Sequence, residues 1–307
     1  MVKDVQKIKE GAIVIAAYFL LLFATLFLPF FILFLPLPFI VYVMRHGIKA
    51  GIVVFFVTLF GTLAIGGLSL LPLSFMMASG GLVAGELWQK NKPPFAVLLG
   101  TSLTYIANLL LFFVLSVAVF DVHPFTPVQK AMKESLDTAS VVLREFDEKT
   151  GESLQMYYEL IDMLPQLVPL IIVSIGIVYA LVIQLIARFI LKKMNMIVAP
   201  FPPVRDWTFP KSFLWYYLII LIVMLVGVDK ESSLYIVVIN LFPMLEIIMA
   251  IQGISFLFYY VYQKGMSKLL PIGAVILVLL LPPLTMIVRL IGIIDLGFNL
   301  RSRIQKT

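Results

Sequence analysis

The chain has 307 residues, 62% of them hydrophobic and 13% charged, with a net charge of +6 and no cysteine. Soluble domains run about 45–50% apolar and about 25% charged, and a soluble fold of this length still needs a polar shell, so lipid must solvate much of this surface. The missing cysteines exclude a disulfide framework, a thiolate zinc site and a cysteine nucleophile, and the basic charge, set in short loops between apolar runs, reads as membrane topology rather than nucleic-acid binding.

Met1 to Glu10 carries Lys3, Lys7 and Lys9 ahead of an apolar run from Gly11 to Leu28. That run is long for a signal peptide and no small-x-small site ends it, so a retained first span is expected. Apolar segments follow at 30–44, 50–70, 71–87, 94–120, 166–191, 212–228, 233–263 and 269–296. Each is expected to be helical, because only an internal ladder satisfies the backbone in lipid; the alternating ten-residue pattern of a barrel is absent. The second segment is short and holds Pro36 and Pro38, which suits a tilted or half-buried helix. The fold class is therefore all-α, a polytopic transmembrane bundle of about 8–9 spans with an extracytoplasmic helical loop. Its parts are an N-terminal bundle over 1–120, the loop over 121–165 and a C-terminal bundle over 166–307.

Orientation follows from Lys and Arg. With a cytoplasmic N-terminus the inside segments hold fourteen, among them Arg45, Lys90, Arg188, Arg205 and Lys264, and the outside loops hold five. Nine crossings would leave Arg301, Arg303 and Lys306 outside, against this bias. Pro282 and Pro283 can fold the last segment into two short helices and return the tail to the cytoplasm.

The loop from Asp121 to Pro165 carries nine acidic and four basic side chains. Val128, Met132, Leu136, Ala139, Leu143 and Phe146 recur at helical spacing, Glu148 to Gly151 reads as a turn, and Leu154 to Leu164 as a second helix. This is either a helical hairpin on the membrane surface or a lid or docking element. The inner loop from Pro200 to Pro210 is rich in proline and aromatics, suited to anchoring at the headgroups or to docking a cytoplasmic partner.

Ionisable groups inside a membrane are costly and so mark function by default. Glu246 lies mid-segment after Asn240 and Pro243, where a buried carboxyl would suit proton coupling or a cationic ligand; the structural alternative is a carboxyl held by Gln252 or Arg289. Arg289 and Asp295 are six residues apart and do not share a helical face. Arg188, a turn beyond Gln184, is read as snorkelling to the interface, and Asn108 as a polar contact between helices. Glu246, Asn240, Arg289 and Asn108 are thus the candidate ligand-binding residues. Gly81 with Gly85, and Ala12 with Ala16, are small-x-x-x-small pairs for close helix packing or a partner interface. No phosphate-cradling GxxxxGK[ST], HExxH or GxSxG motif occurs, and His46 and His123 stand apart. No catalytic or metal-binding residue and no cofactor is expected, nor is an enzyme.

The run Leu35 to Gly47 (LPLPFIVYVMRHG), ahead of a glycine-rich helix pair, and Gly292 to Arg301 (GIIDLGFNLR) give the chain a resemblance along its whole length to the YybS-like family of multi-pass bacterial membrane proteins. That family is distantly similar to the S subunits of energy-coupling-factor transporters, although these have fewer helices and lack an acidic loop of this size. The resemblance implies a helical bundle in the bacterial cell membrane that acts with partners: membrane lipid, other membrane subunits or a cytoplasmic ATPase. Ala12 and Ala16 match the small first-helix residues that S subunits set against their coupling subunit. Two functions follow as expectations: a non-enzymatic small-molecule-binding or transport-associated component with a separate energising partner, or a scaffold of an envelope, sporulation or signalling complex.

Overall fold

A helix rises about 1.5 Å per residue, so about 20 residues cross a hydrocarbon core of about 30 Å. The computed structural model describes residues 2–144 and 150–304, and every regular element among them is helical. The helices are α1 (Val2–Phe27), α2 (Leu37–His46), α3 (Ile48–Gln89), α4 (Pro94–Phe120), α5 (Thr126–Arg144), α6 (Thr150–Asp162), α7 (Val168–Lys193), α8 (Ser212–Val226), α9 (Ser233–Gln263), α10 (Leu269–Leu280), α11 (Pro282–Phe298) and α12 (Leu300–Ile304). Among the described residues six helical stretches are long and apolar enough to cross a membrane: Val5–Phe27, Pro29–His46, Ile48–Gln89, Pro94–Val119, Leu164–Lys193 and Ser233–Gln263. The apolar helices α8 and α10 are shorter.

The short second segment gains its length from a tighter turn. A 3-10 stretch, Pro29–Phe34, precedes the 10 residues of α2, and the two together reach roughly 27 Å at the rises of the two helix types. α3 has 42 residues, about twice what one crossing needs, and it breaks at Gly67, whose φ of 63° and ψ of −159° lie outside any helix. Hydropathy places this junction after residue 70; the chain instead breaks where a glycine can adopt a positive φ without a Cβ clash.

The chain packs as two compact units. The first comprises Met1–Leu164 and Ile171–Phe201. Tyr18, Phe39, Val43 and Met77 bury together where α1, α2 and α3 meet, and Trp88, Val97, Ile183 and Leu191 do so among α3, α4 and α7. Gly81 and Gly85 let α3 lie directly on α2: a Cβ at Gly81 would sit 2.5 Å from the Pro36 carbonyl oxygen, and one at Gly85 2.8 Å from the Val43 Cβ. Ala12 and Ala16 occupy the exposed face of α1. α5 and α6 form an antiparallel hairpin. Gln129 donates to the Ile161 carbonyl at 2.8 Å, Lys133 pairs with Asp162 at 2.6 Å, and the Tyr158 hydroxyl donates to Asp137. Phe146 and the Glu148–Lys149 part of the expected turn lie outside the described residues.

The second unit comprises Pro165–Leu170 and Pro202–Thr307. The three sequence divisions at 121 and 166 are segments of polarity, whereas these two units are segments of packing. α8 packs on α9 through Leu214, Tyr217, Leu245 and Met249, with Tyr217 stacked on Phe242 at 5.7 Å between ring centres. α9 and α11 meet along their length, and their contacts advance in the same direction: Glu246 with Arg289, Gln252 with Asp295, Tyr259 with Arg301. The two helices therefore run parallel. Between them the chain must return, and α10 with its flanking turns carries it back. An extended Leu281 (φ −121°, ψ 93°) followed by Pro282 separates α10 from α11, so the last apolar segment is two helices.

Candidate functional site

The polar side chains of the second unit gather on the seam between α9 and α11, and glycines make that seam close. A Cβ added at Gly253 would lie 1.9 Å from the Val288 carbonyl oxygen, and one at Gly292 2.0 Å from that of Met249. Neither position tolerates a side chain, so the backbones touch. On either side of this crossing sits a charged pair.

Toward the middle of α9, Glu246 forms an ion pair with Arg289 of α11. Their side chains are 28% and 23% exposed, so the pair is neither locked in a dry core nor free. Within an apolar span an isolated charge is costly, and pairing offsets that cost. Of the two sequence readings, an acid free for a ligand or one held by Gln252 or Arg289, the geometry has the carboxylate held by Arg289, so the site presents one acidic and one basic group together.

Toward the C-terminal ends of the two helices, Asp295 is almost fully buried. Its Oδ2 accepts from Gln252 Nε2 at 2.6 Å and from Arg301 Nε at 3.0 Å. Arg301 also donates to the Arg205 carbonyl (2.9 Å) and to Ser255 Oγ (3.0 Å), and its guanidinium lies 5.4 Å from the centre of the Tyr259 ring. Ser255 Oγ in turn lies 2.7 Å and 2.6 Å from the carbonyls of Val204 and Trp207. Gln252 Oε1 accepts from the Phe209 N–H at 3.0 Å, and Arg205 stacks 3.7 Å from the Tyr262 ring centre. The proline-aromatic loop is thus fastened to α9 and to the end of α11 by a network that satisfies its backbone. The adjoining cleft, with Thr208, Lys211 and Asn299 on its walls, encloses about 50 Å³. That is room for a water molecule or two, too small for an organic solute.

The other sequence candidates stand apart from this seam. The Asn240 amide accepts from the Leu170 N–H at 2.8 Å and donates to the carbonyls of Gln166 (2.7 Å) and Ile236 (2.8 Å). It caps the first turn of α7, so its donors and acceptor serve the backbone. In the first unit Asn108, 6% exposed, donates to Ser79 Oγ at 2.9 Å and joins α4 to α3. Gln184 donates to the Pro94 carbonyl at 2.9 Å. Among the described residues no three His, Asp or Glu side chains come together as a metal-ligand set.

Sequence reasoning singled out Glu246, Arg289 and Asp295 and named Arg289 as one residue that could hold the Glu246 carboxyl, but it gave Gly253, Gly292, Ser255 and Arg301 no part in a site. The available signal was weak: two glycines 39 residues apart, each within three positions of a polar residue on the same seam, Gln252 and Ser255 on one helix and Asp295 on the other.

The profile of a family described as "Predicted membrane protein (DUF2232)" matches residues 14–296. Among curated proteins the chain is similar to "Uncharacterized protein YybS" of Bacillus subtilis (strain 168), with 28% identity over 309 residues that cover 99% of this chain and 100% of that protein. No solved structure matches it significantly.

Proposed function

Because the chain belongs to the DUF2232 family of predicted membrane proteins, we propose that it is a non-enzymatic, solute-binding component of the cell membrane that acts with a separate energising partner. The observation that carries this reading is the Glu246–Arg289 pair, a self-neutral couple part-way along two parallel helices. A small solute bearing both a carboxylate or phosphate and an ammonium group can exchange into such a pair. Arginine takes the anion by a planar fork and glutamate takes the cation. The fastened inner loop below it gives the seam a rigid floor.

The same reading carries a proposed topology. Split at Gly67, α3 supplies two crossings, and the chain makes eight crossings followed by the α10–α11 hairpin, with a cytoplasmic N-terminus. The parallel course of α9 and α11 then brings Arg301 and Arg303 to the side of Lys264 and Lys268, which keeps the tail with the positive-inside majority.

The test is a thermal-shift screen of the purified full chain against zwitterionic amino acids, amino phosphates and simple carboxylates. At least one zwitterion should raise the melting temperature of the wild type and leave Glu246→Gln/Arg289→Gln unmoved. An equal rise in both proteins would remove the pair from binding, and no rise with any compound would count against solute binding.

A scaffold reading is supported by a separate observation. Met156, Tyr157 and Leu160 of α6 and Val128 and Met132 of α5 are exposed on a hairpin outside the spans. If the hairpin docks a partner, a chain lacking 126–160 should lose proteins that co-purify with the wild type; unchanged recovery removes that role.

A further inference from the structure

In the first unit a groove of about 600 Å³ opens between α3 beyond Gly67, the last turns of α4, the start of α5 and α7. Phe75, Leu109, Phe112, Phe125 and Ile172 form its walls. Ser116 is the one hydroxyl in the lining, and it is spent on the Val122 carbonyl at 2.8 Å. No side chain in the lining has a hydrogen-bond donor left for a polar guest, and the Ser116 oxygen is its single side-chain acceptor.

We propose that this groove holds one acyl chain of a membrane phospholipid. Apolar cavities stay dry and accept apolar guests; one of about 150 Å³ takes a benzene molecule. A space roughly four times larger suits a long hydrocarbon chain. An α-helix about 10–12 Å across would overfill it, which argues against a partner helix as the occupant. The rim is formed by Leu68, Leu115 and Ile175, exposed by 71%, 38% and 49% on spanning helices, so the mouth opens toward hydrocarbon and a tail enters without leaving the bilayer. One end of the groove reaches Pro124 and Phe125, beside the exposed and polar Asp121, His123 and Thr126. There a headgroup remains at the interface while its tail lies inward, which favours a phospholipid over a wholly apolar guest. The break at Gly67 supplies the space, because the two halves of α3 do not continue along one axis.

The experiment uses the full chain in phospholipid vesicles containing a fraction of phosphatidylethanolamine with a diazirine near the end of one tail. After illumination, adducts are mapped by peptide mass spectrometry. They should concentrate on Phe75, Phe112 and Ile172, several-fold above the exposed Leu99 and Leu103 of α4. Ile175→Trp, which plugs the mouth, should reduce them several-fold without altering those at Leu99 and Leu103. Leu109→Trp fills the groove from the other wall and serves if the first variant melts early. Even labelling along the spans overturns the proposal, as does labelling indifferent to both tryptophans in folded protein. Displacement of the adducts by equimolar polyprenyl phosphate overturns the phospholipid assignment in favour of an isoprenoid.

Discussion

Gly253 and Gly292 set the distance at which every polar group on the α9–α11 seam operates. At 1.9 Å and 2.0 Å from a carbonyl oxygen, an added Cβ forces backbone rather than side chain to move. Gly292→Val is therefore expected to destabilise the protein by about 2 kcal/mol or more, read as a lower melting temperature in detergent, while Gly273→Val on α10, where a Cβ meets nothing within 4 Å, should leave it nearly unchanged. The charged pairs predict a non-additive pattern. Glu246→Ala or Arg289→Ala alone leaves an uncompensated charge and should cost about 1–3 kcal/mol. Removing both should cost less than the worse single change, and a double-mutant cycle in thermal denaturation reads the coupling. Asp295→Asn keeps the shape but weakens the bonds from Gln252 and Arg301 together. It should loosen the loop from Pro202 to Phe209, seen as faster amide exchange at Phe209, whose N–H bonds to Gln252.

At the level of elements, spans were legible because hydropathy is local, and their interruptions less so. Pro282 marks its own break in the sequence. Gly67 does not, since a glycine inside an apolar run reads equally as helix interior, and only the 42-residue length forbids one crossing. Asn240 looked like a ligand group because sequence cannot show that α7 begins beside α9 and leaves its first N–H groups to be capped. Pairing of Glu246 with Arg289 depends on two helices 43 residues apart running parallel, which no local pattern encodes. That parallel course makes a directional prediction. The chain has no cysteine, so introduced thiols report alone. Lys264→Cys and Ser302→Cys should react with an impermeant maleimide from one side of a sealed vesicle, and Thr138→Cys on α5 from the other. Labelling of Ser302→Cys with Thr138→Cys would sink the hairpin topology.

For the whole molecule, composition alone placed the chain in lipid, and membership of a membrane protein family agrees. Composition could not reveal that packing divides the chain into two compact units, because the boundary at Phe201 and Pro202 falls in one of several loops between apolar segments, and nothing local marks which segments pack together. The glycine-rich stretch around Gly81 was legible as a close-packing face, and its partner is the adjacent α2 of the same chain. The face of α1 bearing Ala12 and Ala16 remains exposed, available to a second membrane protein. Ala12→Leu/Ala16→Leu should leave the melting temperature of the isolated chain unchanged and reduce recovery of any membrane subunit that co-purifies with it.

The order in which ribosomes deliver this chain gives the parallel helices a further consequence. α9 enters the bilayer carrying Glu246 well before Arg289 has been synthesised, and each charge at a helix centre resists insertion by about 2.5–3.5 kcal/mol. α11 follows as a short helix with two charges of its own, and α9 is already in place to receive them. The α10–α11 segment thus supplies the charge that an earlier span lacks, so a nascent chain halted after α9 carries Glu246 without its partner.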